Sequence, residues 1–324
     1  MSDKRYGHFD VLAKTAALEI DGMDAALRYD DLRALFESQS SFSAASKVAK
    51  RIIQALEIMD RGFTGQQAEH LRNRTILQSI LTLICRLIEG GDITGQEKRI
   101  GQFVEKFLEE LTHQVELGRQ ASDTDYIDFQ RTVNANVKSG ARIRQSVLLR
   151  KLLAHDPSFA ELFDSVSVAK SGLRTSIRED ANAIAKIVGD LNSQYASKHG
   201  EDLFKATNKT AQAQIHIGNP LTKFDEYKEF IENLYFLFHE GRGNRLDGKV
   251  PTSFNDINTL RTDLQHDLDH GPSGKVRSKR KKSGTVFSTY SGVPSPVGLA
   301  PERFLIVQAN LLAAIKTDLK TLTL

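Results

Sequence analysis

The stretch LRTDLQHDLDHG, residues 260–271, gathers one arginine, two histidines and three aspartates into a single helical-looking segment. Arginine offers phosphate oxygens a planar, permanently charged fork. Histidine takes up and releases protons near neutral pH. His266 has two aspartates and a second histidine within one turn, so its proton could be held and relayed. A run of six cations in eight residues, KVRSKRKK at 275–282, follows almost at once. Together these residue types suit chemistry on a phosphodiester. The same composition also suits the solvated face of an ordinary amphipathic helix.

Read as a helical wheel, the segment starts at TSFN (252–255) with Thr252 as N-cap. Phe254, Ile257, Leu260, Leu264 and Leu268 then share one apolar side. Arg261 lies at the margin of that stripe, and Thr262, His266, Asp269 and His270 lie broadly opposite. A separation of five residues sets Arg261 and His266 about 140° apart on an ideal helix. They converge if Arg261 curls round the helix or if a second protomer supplies one of them.

The pair Arg261-x4-His266, on the penultimate helix of an all-α region, resembles the R-x4-6-H motif of the HEPN superfamily (higher eukaryotes and prokaryotes nucleotide-binding). The layout is also similar to HEPN toxins paired with nucleotidyltransferase antitoxins, with PERFLIVQANLLAAIKTDLKTL (301–322) as the last amphipathic helix. The resemblance covers about residues 223–322. It implies a metal-independent endoribonuclease in which a 2′-hydroxyl attacks the adjacent phosphate. His266 would be general acid or base, and Arg261 would hold the scissile phosphate and its growing charge. It further implies a homodimer that brings two motifs to one cleft, and a toxin, stress-response or anti-phage setting with a possible protein partner or antitoxin. This chain departs from the family pattern after the arginine: Asn, Asp or His is usual there, and here the residue is Thr262. Thr262, Asp269 and His270 are therefore supporting candidates.

Lys275, Arg277, Lys279, Arg280, Lys281 and Lys282 form the candidate nucleic-acid contact, read as a mobile basic loop within the Gly/Ser/Pro-rich stretch 271–300. Such a run attracts nucleic acid by counterion release. Phe287 and Tyr290 beside it would either stack on bases or anchor the loop to the core. A second cationic stretch holds Arg131, Lys138, Arg142, Arg144, Arg150 and Lys151 with no acid between 131 and 154. It is either a basic RNA- or partner-binding surface or the wet face of a helix.

Other readings are weaker. His266, Asp267 and His270 would suit a metal phosphohydrolase only with further ligands, for which His216 and His239 are the available residues. GPSGK at 271–275 lacks the spacing of a phosphate-binding P-loop and no strand precedes it. No cofactor is expected. A non-catalytic helical module that binds nucleic acid or protein is the alternative from another class.

The elements that must position these residues are helices. Apolar residues recur at three- and four-residue spacing, proline is scarce at 7, and tryptophan is absent. Expected helices cover Asp24–Ser38, Ala44–Arg61 with a stripe of Val48, Ile52, Leu56 and Met59, a helix from the capping-box pattern TGQQ at Thr64 to Gly90, and one from TGQE at Thr94 onward. A long helix from Asp123 to Ala154, open to interruption at Ser139–Gly140, and one over Thr175–Lys198 follow. Helices over 223–240, 252–269 and 301–322 complete the all-α fold. The looser stretch 205–222 divides an N-terminal helical domain (1–204, for substrate or partner contact) from a C-terminal HEPN-like domain (205–324).

The chain has 324 residues, 40% hydrophobic and 26% charged, enough for a packed core, and a net charge of only +3, so nucleic-acid binding must come from local patches. The single cysteine, Cys85, excludes an intrachain disulfide and suits a reducing compartment. ILQSILTLICRLI (76–88) carries Gln78, Ser79, Thr82 and Arg86 and is too short and polar to span a bilayer. The expectation is a cytoplasmic protein without a membrane partner.

Overall fold

The computed structural model describes residues 7–64, 70–133, 139–163, 167–168, 171–246, 248, 250–265 and 273–322, with the backbone alone at 70 and 273–276. Among the described residues the fold is all-α, without a strand. Two compact units emerge. One comprises residues 1–155 with 161–167, the other 156–160 with 168–324.

The first unit contains α1 (Gly7–Asp21), α2 (Tyr29–Ser38), α3 (Lys47–Gly62), α4 (Arg74–Gly90), α5 (Glu97–Leu117), α6 (Thr124–Val133) and α7 (Gly140–His155). The apolar α4 is its core, surrounded by α1, α3 and α7. Ile80, Leu81, Leu83, Ile84, Cys85 and Leu87 are fully buried. Burial of the Cys85 thiol holds it in its protonated form. Gln78, Ser79 and Thr82 of this helix are buried as well, and they bond to one another and to α7. Gln78 donates to Thr82 Oγ1 at 2.8 Å, and the Ser79 carbonyl accepts from Gln145 at 2.7 Å. Glycines let α3 and α5 touch backbone to backbone: a Cβ on Gly101 would lie 2.1 Å from the Gly62 carbonyl.

Several local expectations change. The α4 helix starts at Arg74, with Asn73 as its N-cap accepting from the amides of Thr75 and Ile76, so TGQQ is not its start. Thr94 bonds back to Asp92 in a turn, and α5 begins at Glu97. The α3 stripe is Ile52, Ala55 and Ile58, which leaves Leu56 exposed. The stretch 123–154 is two helices, α6 and α7, which pack on each other.

The second unit contains α8 (Leu173–His199), α9 (Asn208–His216), α10 (Phe224–Tyr235), α11 (Thr252–Gln265), α12 (Ser273–Ser291) and α13 (Pro301–Thr321). The α10 helix runs on into a π-helical turn, Phe236–Glu240, closed by the Gly241 amide on the Phe236 carbonyl at 2.8 Å. Helix α13 is the central element, with Phe304, Leu305, Ile306, Val307, Leu311, Leu312 and Ile315 buried. It packs most extensively on α8, and Lys316 pairs with Asp180 across that contact. The expected boundary at 204/205 therefore falls inside the second unit, because α8 contributes to the same core as α13.

The basic stretch is a helix, contrary to its reading as a loop. Lysine and arginine are good helix formers. Within α12, Ser283, Phe287, Tyr290 and Ser291 provide a buried face at i, i+4, i+7 and i+8. The prolines at 294 and 296 lie beyond its end.

Candidate nucleic-acid interface

Helices α11 and α12 form an antiparallel pair fixed by two hydrogen bonds from α12 to carboxylates of α11. The Tyr290 hydroxyl donates to Asp256 at 2.7 Å, and the Ser283 hydroxyl donates to Asp263 at 2.9 Å. Burial raises the Asp256 carboxyl above the usual range, against the opposing effect of the Tyr290 bond. The N-terminus of α11 is tied to α13, since the Ser253 amide donates to Asp318 at 2.9 Å. Thr252 is thus the first helical residue rather than the cap. Phe254, Ile257 and Leu260 are buried as the wheel requires, and Leu264 is half-buried. Leu268 lies outside the described residues.

Arg261 sits one turn before the end of α11, and its guanidinium is oriented by two residues of α10. Its Nε donates to Glu232 at 3.2 Å, and its Cζ lies 4.3 Å from the centre of the Tyr235 ring. Gln265 Nε2 donates to the same Glu232 oxygen at 2.9 Å. The side chain of Arg261 is 24% exposed, and its two Nη groups have no partner among the described residues. Those are the groups that bind phosphate oxygens in a fork. Tyr235 also stacks on His239, with ring centres 4.6 Å apart and planes 12° from parallel. Burial lowers the pKa of His239, and the neighbouring Arg242 and Arg261 charges lower it further. Its imidazole is therefore neutral at pH 7. Arg242, itself buried, carries an Nε without a hydrogen-bond partner, and its own pKa is lowered by burial.

Arg277, Lys279, Arg280, Lys281 and Lys282 are all exposed on α12. At about 100° per residue they surround the helix rather than line one face. Among the described side chains of α12 the buried face begins at Ser283, and the five cations before it are exposed.

The remaining site residues are distributed as follows. Thr262 donates its hydroxyl back to the Asn258 carbonyl at 2.7 Å, a bond internal to α11. His266, Asp269 and His270 lie outside the described residues, as does the side chain of Lys275. Phe287 and Tyr290 are buried at 2% and 5% exposure, which makes them anchors of α12 and removes them as base-stacking platforms. His216 faces Glu229 at 3.5 Å, while His239 stacks on Tyr235, so each already has a neighbour other than a shared ion.

The cationic stretch at 131–154 is engaged internally. Arg150 and Lys151 pair with Asp125, and Lys151 also with Asp123 at 2.6 Å. Arg131 pairs with Asp128, Arg142 with Asp24, and Arg144 is buried. The acids come from outside the stretch, which is why it reads as uniformly basic. Lys138 lies outside the described residues.

Glu232, Tyr235 and His239 were not among the expected site residues. Glu232 and Tyr235, at i and i+3 on α10, and His239 in the π-helical turn that continues it form a pattern visible in ENLYFLFHE once Arg261 is known to face them. Compared with protein-family models, curated proteins and solved structures, the chain matches none. Among the described residues no helix is long and apolar enough to cross a membrane.

Proposed function

We propose that the protein binds RNA through the α11–α12 pair and cleaves it as a HEPN-type, metal-independent endoribonuclease. The observation that carries this reading is the seating of Arg261. Glu232 and Tyr235 orient its guanidinium while both Nη groups have no partner among the described residues, one turn before the end of α11 and the segment that holds His266. In this role Arg261 grips the scissile phosphate, and His266 moves the proton of the attacking 2′-hydroxyl or of the leaving oxygen. The exposed cations of α12, which begins directly after the same segment, supply non-specific attraction for the phosphate backbone. A homodimer would bring two such motifs to one groove. A toxin, stress-response or anti-phage role with a protein partner follows from the same resemblance, as does cytoplasmic localisation from the single cysteine.

The competing reading is binding without turnover. It is favoured by one specific observation: Arg261 already holds a carboxylate at 3.2 Å, which opposes the approach of a phosphate. The deciding experiment incubates total RNA with the full-length protein in the presence of a chelator, beside His266→Ala and Arg261→Ala. Cleavage by the unaltered chain that both variants lose supports the nuclease. RNA retention without cleavage, unchanged in His266→Ala and lost when Arg277, Lys279, Lys281 and Lys282 are changed to Gln, selects the binding module. Absence of both cleavage and binding overturns the proposal.

A further inference from the structure

The first unit buries a cation that lacks a counter-charge. Arg144, one turn into α7, is only 5% exposed. Its Nε donates to Ser79 Oγ at 2.8 Å, one Nη to the Thr132 carbonyl at 2.8 Å, and the other to Gln78 Oε1 at 3.4 Å. All three acceptors are neutral, and no carboxylate pairs with Arg144 among the described residues. A guanidinium has five N–H donors, so further donors remain after these bonds. Buried charges are normally paired, because neutral dipoles replace only part of the lost hydration. Desolvation lowers the pKa of Arg144 to about 10, with no neighbouring carboxylate to offset it.

Arg144 lines a cavity of about 320 Å³. Lys14, Arg28 and Arg74 line it too, against two acids, Asp10 and Asp31. Asp10 is taken up by Lys14 at 3.0 Å, and Asp31 accepts the Arg28 backbone amide at 3.2 Å. Among the described residues that line the space, cations therefore outnumber acids. Two long helices begin beside it: α4, capped by Asn73, lines it with Arg74 and Thr75, and α7 lines it with Ala141 and Arg144. Helix N-termini add partial positive charge and favour anions. Leu27 and Val133 supply an apolar wall. The volume falls at the lower end of small-molecule sites, about 300–1,000 Å³.

We propose that this cavity binds a small molecule by its phosphate group, seated against Arg144 between the N-termini of α4 and α7, with the organic part against Leu27 and Val133. A phosphate fits better than a carboxylate because the four cations lining the space outnumber its two acids, which suits more than a single negative charge. The proposal does not rest on the RNA reading of the second unit. It gives the first unit a ligand-responsive role that the basic-surface reading of α7 did not provide.

The test is calorimetric titration of inorganic phosphate into the full-length chain at constant ionic strength. The background is a variant with Arg277, Lys279, Lys281 and Lys282 changed to Gln, which silences the basic helix of the other unit. The expected result is a single saturable class of site, weakened about tenfold by Arg144→Gln, the loss of a charge-assisted hydrogen bond. Acetate should bind at least about tenfold more weakly than phosphate on the same argument of charge. Should Arg144→Gln fail to fold, Arg28→Gln combined with Lys14→Gln, both changes outside the apolar core, must weaken phosphate by a similar factor. No saturable phosphate binding, equal affinity in all the variants, or acetate binding as tightly as phosphate would each overturn the assignment.

Discussion

The guanidinium of Arg261 lies over the ring of Tyr235, with Cζ 4.3 Å from the ring centre, while Glu232 accepts its Nε–H. Cation–π contact and carboxylate together hold a planar fork in one orientation. The carboxylate also lowers the positive potential that a phosphate would meet. If Arg261 grips RNA, Glu232→Gln keeps the hydrogen-bond acceptor and removes the competing charge. RNA affinity, read by fluorescence anisotropy with a single-stranded oligonucleotide, should then rise about twofold to fivefold, the range of a partly exposed ion pair. Arg261→Gln should lower it. A fall in affinity for Glu232→Gln as well would mean that the pair is only structural.

The exposed part of α12 makes a prediction about salt. Each cation in contact with a single-stranded phosphate contributes about 0.7 to the slope of log Kobs against log salt. Changing Arg277, Lys279, Lys281 and Lys282 to Gln should flatten that slope by as much as about 3 if all four touch the backbone. These side chains are exposed, so the unfolding free energy should move by no more than about 0.5 kcal/mol. An unchanged slope would remove α12 from the interface.

Much of the fold was legible because burial imposes helical spacing. Phe254, Ile257 and Leu260 read as one apolar side of a helix, and all three are buried on α11. What escaped were features set by tertiary partners. Among its described side chains the α12 helix buries two aromatic residues and two serines, too thin a pattern to outweigh its Gly/Ser/Pro-rich surroundings. The basic character of α7 was real in sequence but is neutralised by Asp123, just before α6, and Asp125 within it. At the site, Arg261 was legible from its residue type and position. Glu232 and Tyr235 were not, because nothing local to α10 indicates which helix it faces.

Asp256 offers a pH dependence with a definite sign. Its folded pKa lies above the ordinary aspartate value of about 3.9, chiefly through burial. The folded chain therefore holds this proton more tightly than the unfolded chain. Its stabilising contribution is complete below the ordinary value and is lost as pH rises through the raised one. Asp256→Asn retains an acceptor for Tyr290 and removes the titration. The difference in urea midpoint between Asp256→Asn and the unaltered chain should grow in favour of the variant from about pH 4 upward and level off above the raised pKa. A difference independent of pH would show that burial does not perturb this carboxyl.

Gln308 of α13 tests whether the scaffold and the site can be separated. It is fully buried and makes three bonds to one loop. Its amide nitrogen donates to the Ile217 and Asn219 carbonyls at 2.9 and 2.8 Å, and its oxygen accepts from the Leu221 amide at 3.1 Å. Gln308→Met nearly preserves volume and leaves three backbone groups without partners. Each buried unsatisfied group costs about 1–3 kcal/mol, so a loss of about 3 kcal/mol or more is expected. For a unit of this size that lowers Tm by roughly 10 °C, measurable by calorimetry. RNA affinity well below the transition should be unchanged. The loop leads into α10, but α10 is also anchored by Tyr227, whose ring meets Phe287 and Phe304 at 5.7 and 5.8 Å. Glu232 and Tyr235 therefore keep their place beside Arg261 when the Gln308 bonds are gone. Loss of affinity in a variant that remains folded would show instead that the 217–221 loop takes part in positioning the site.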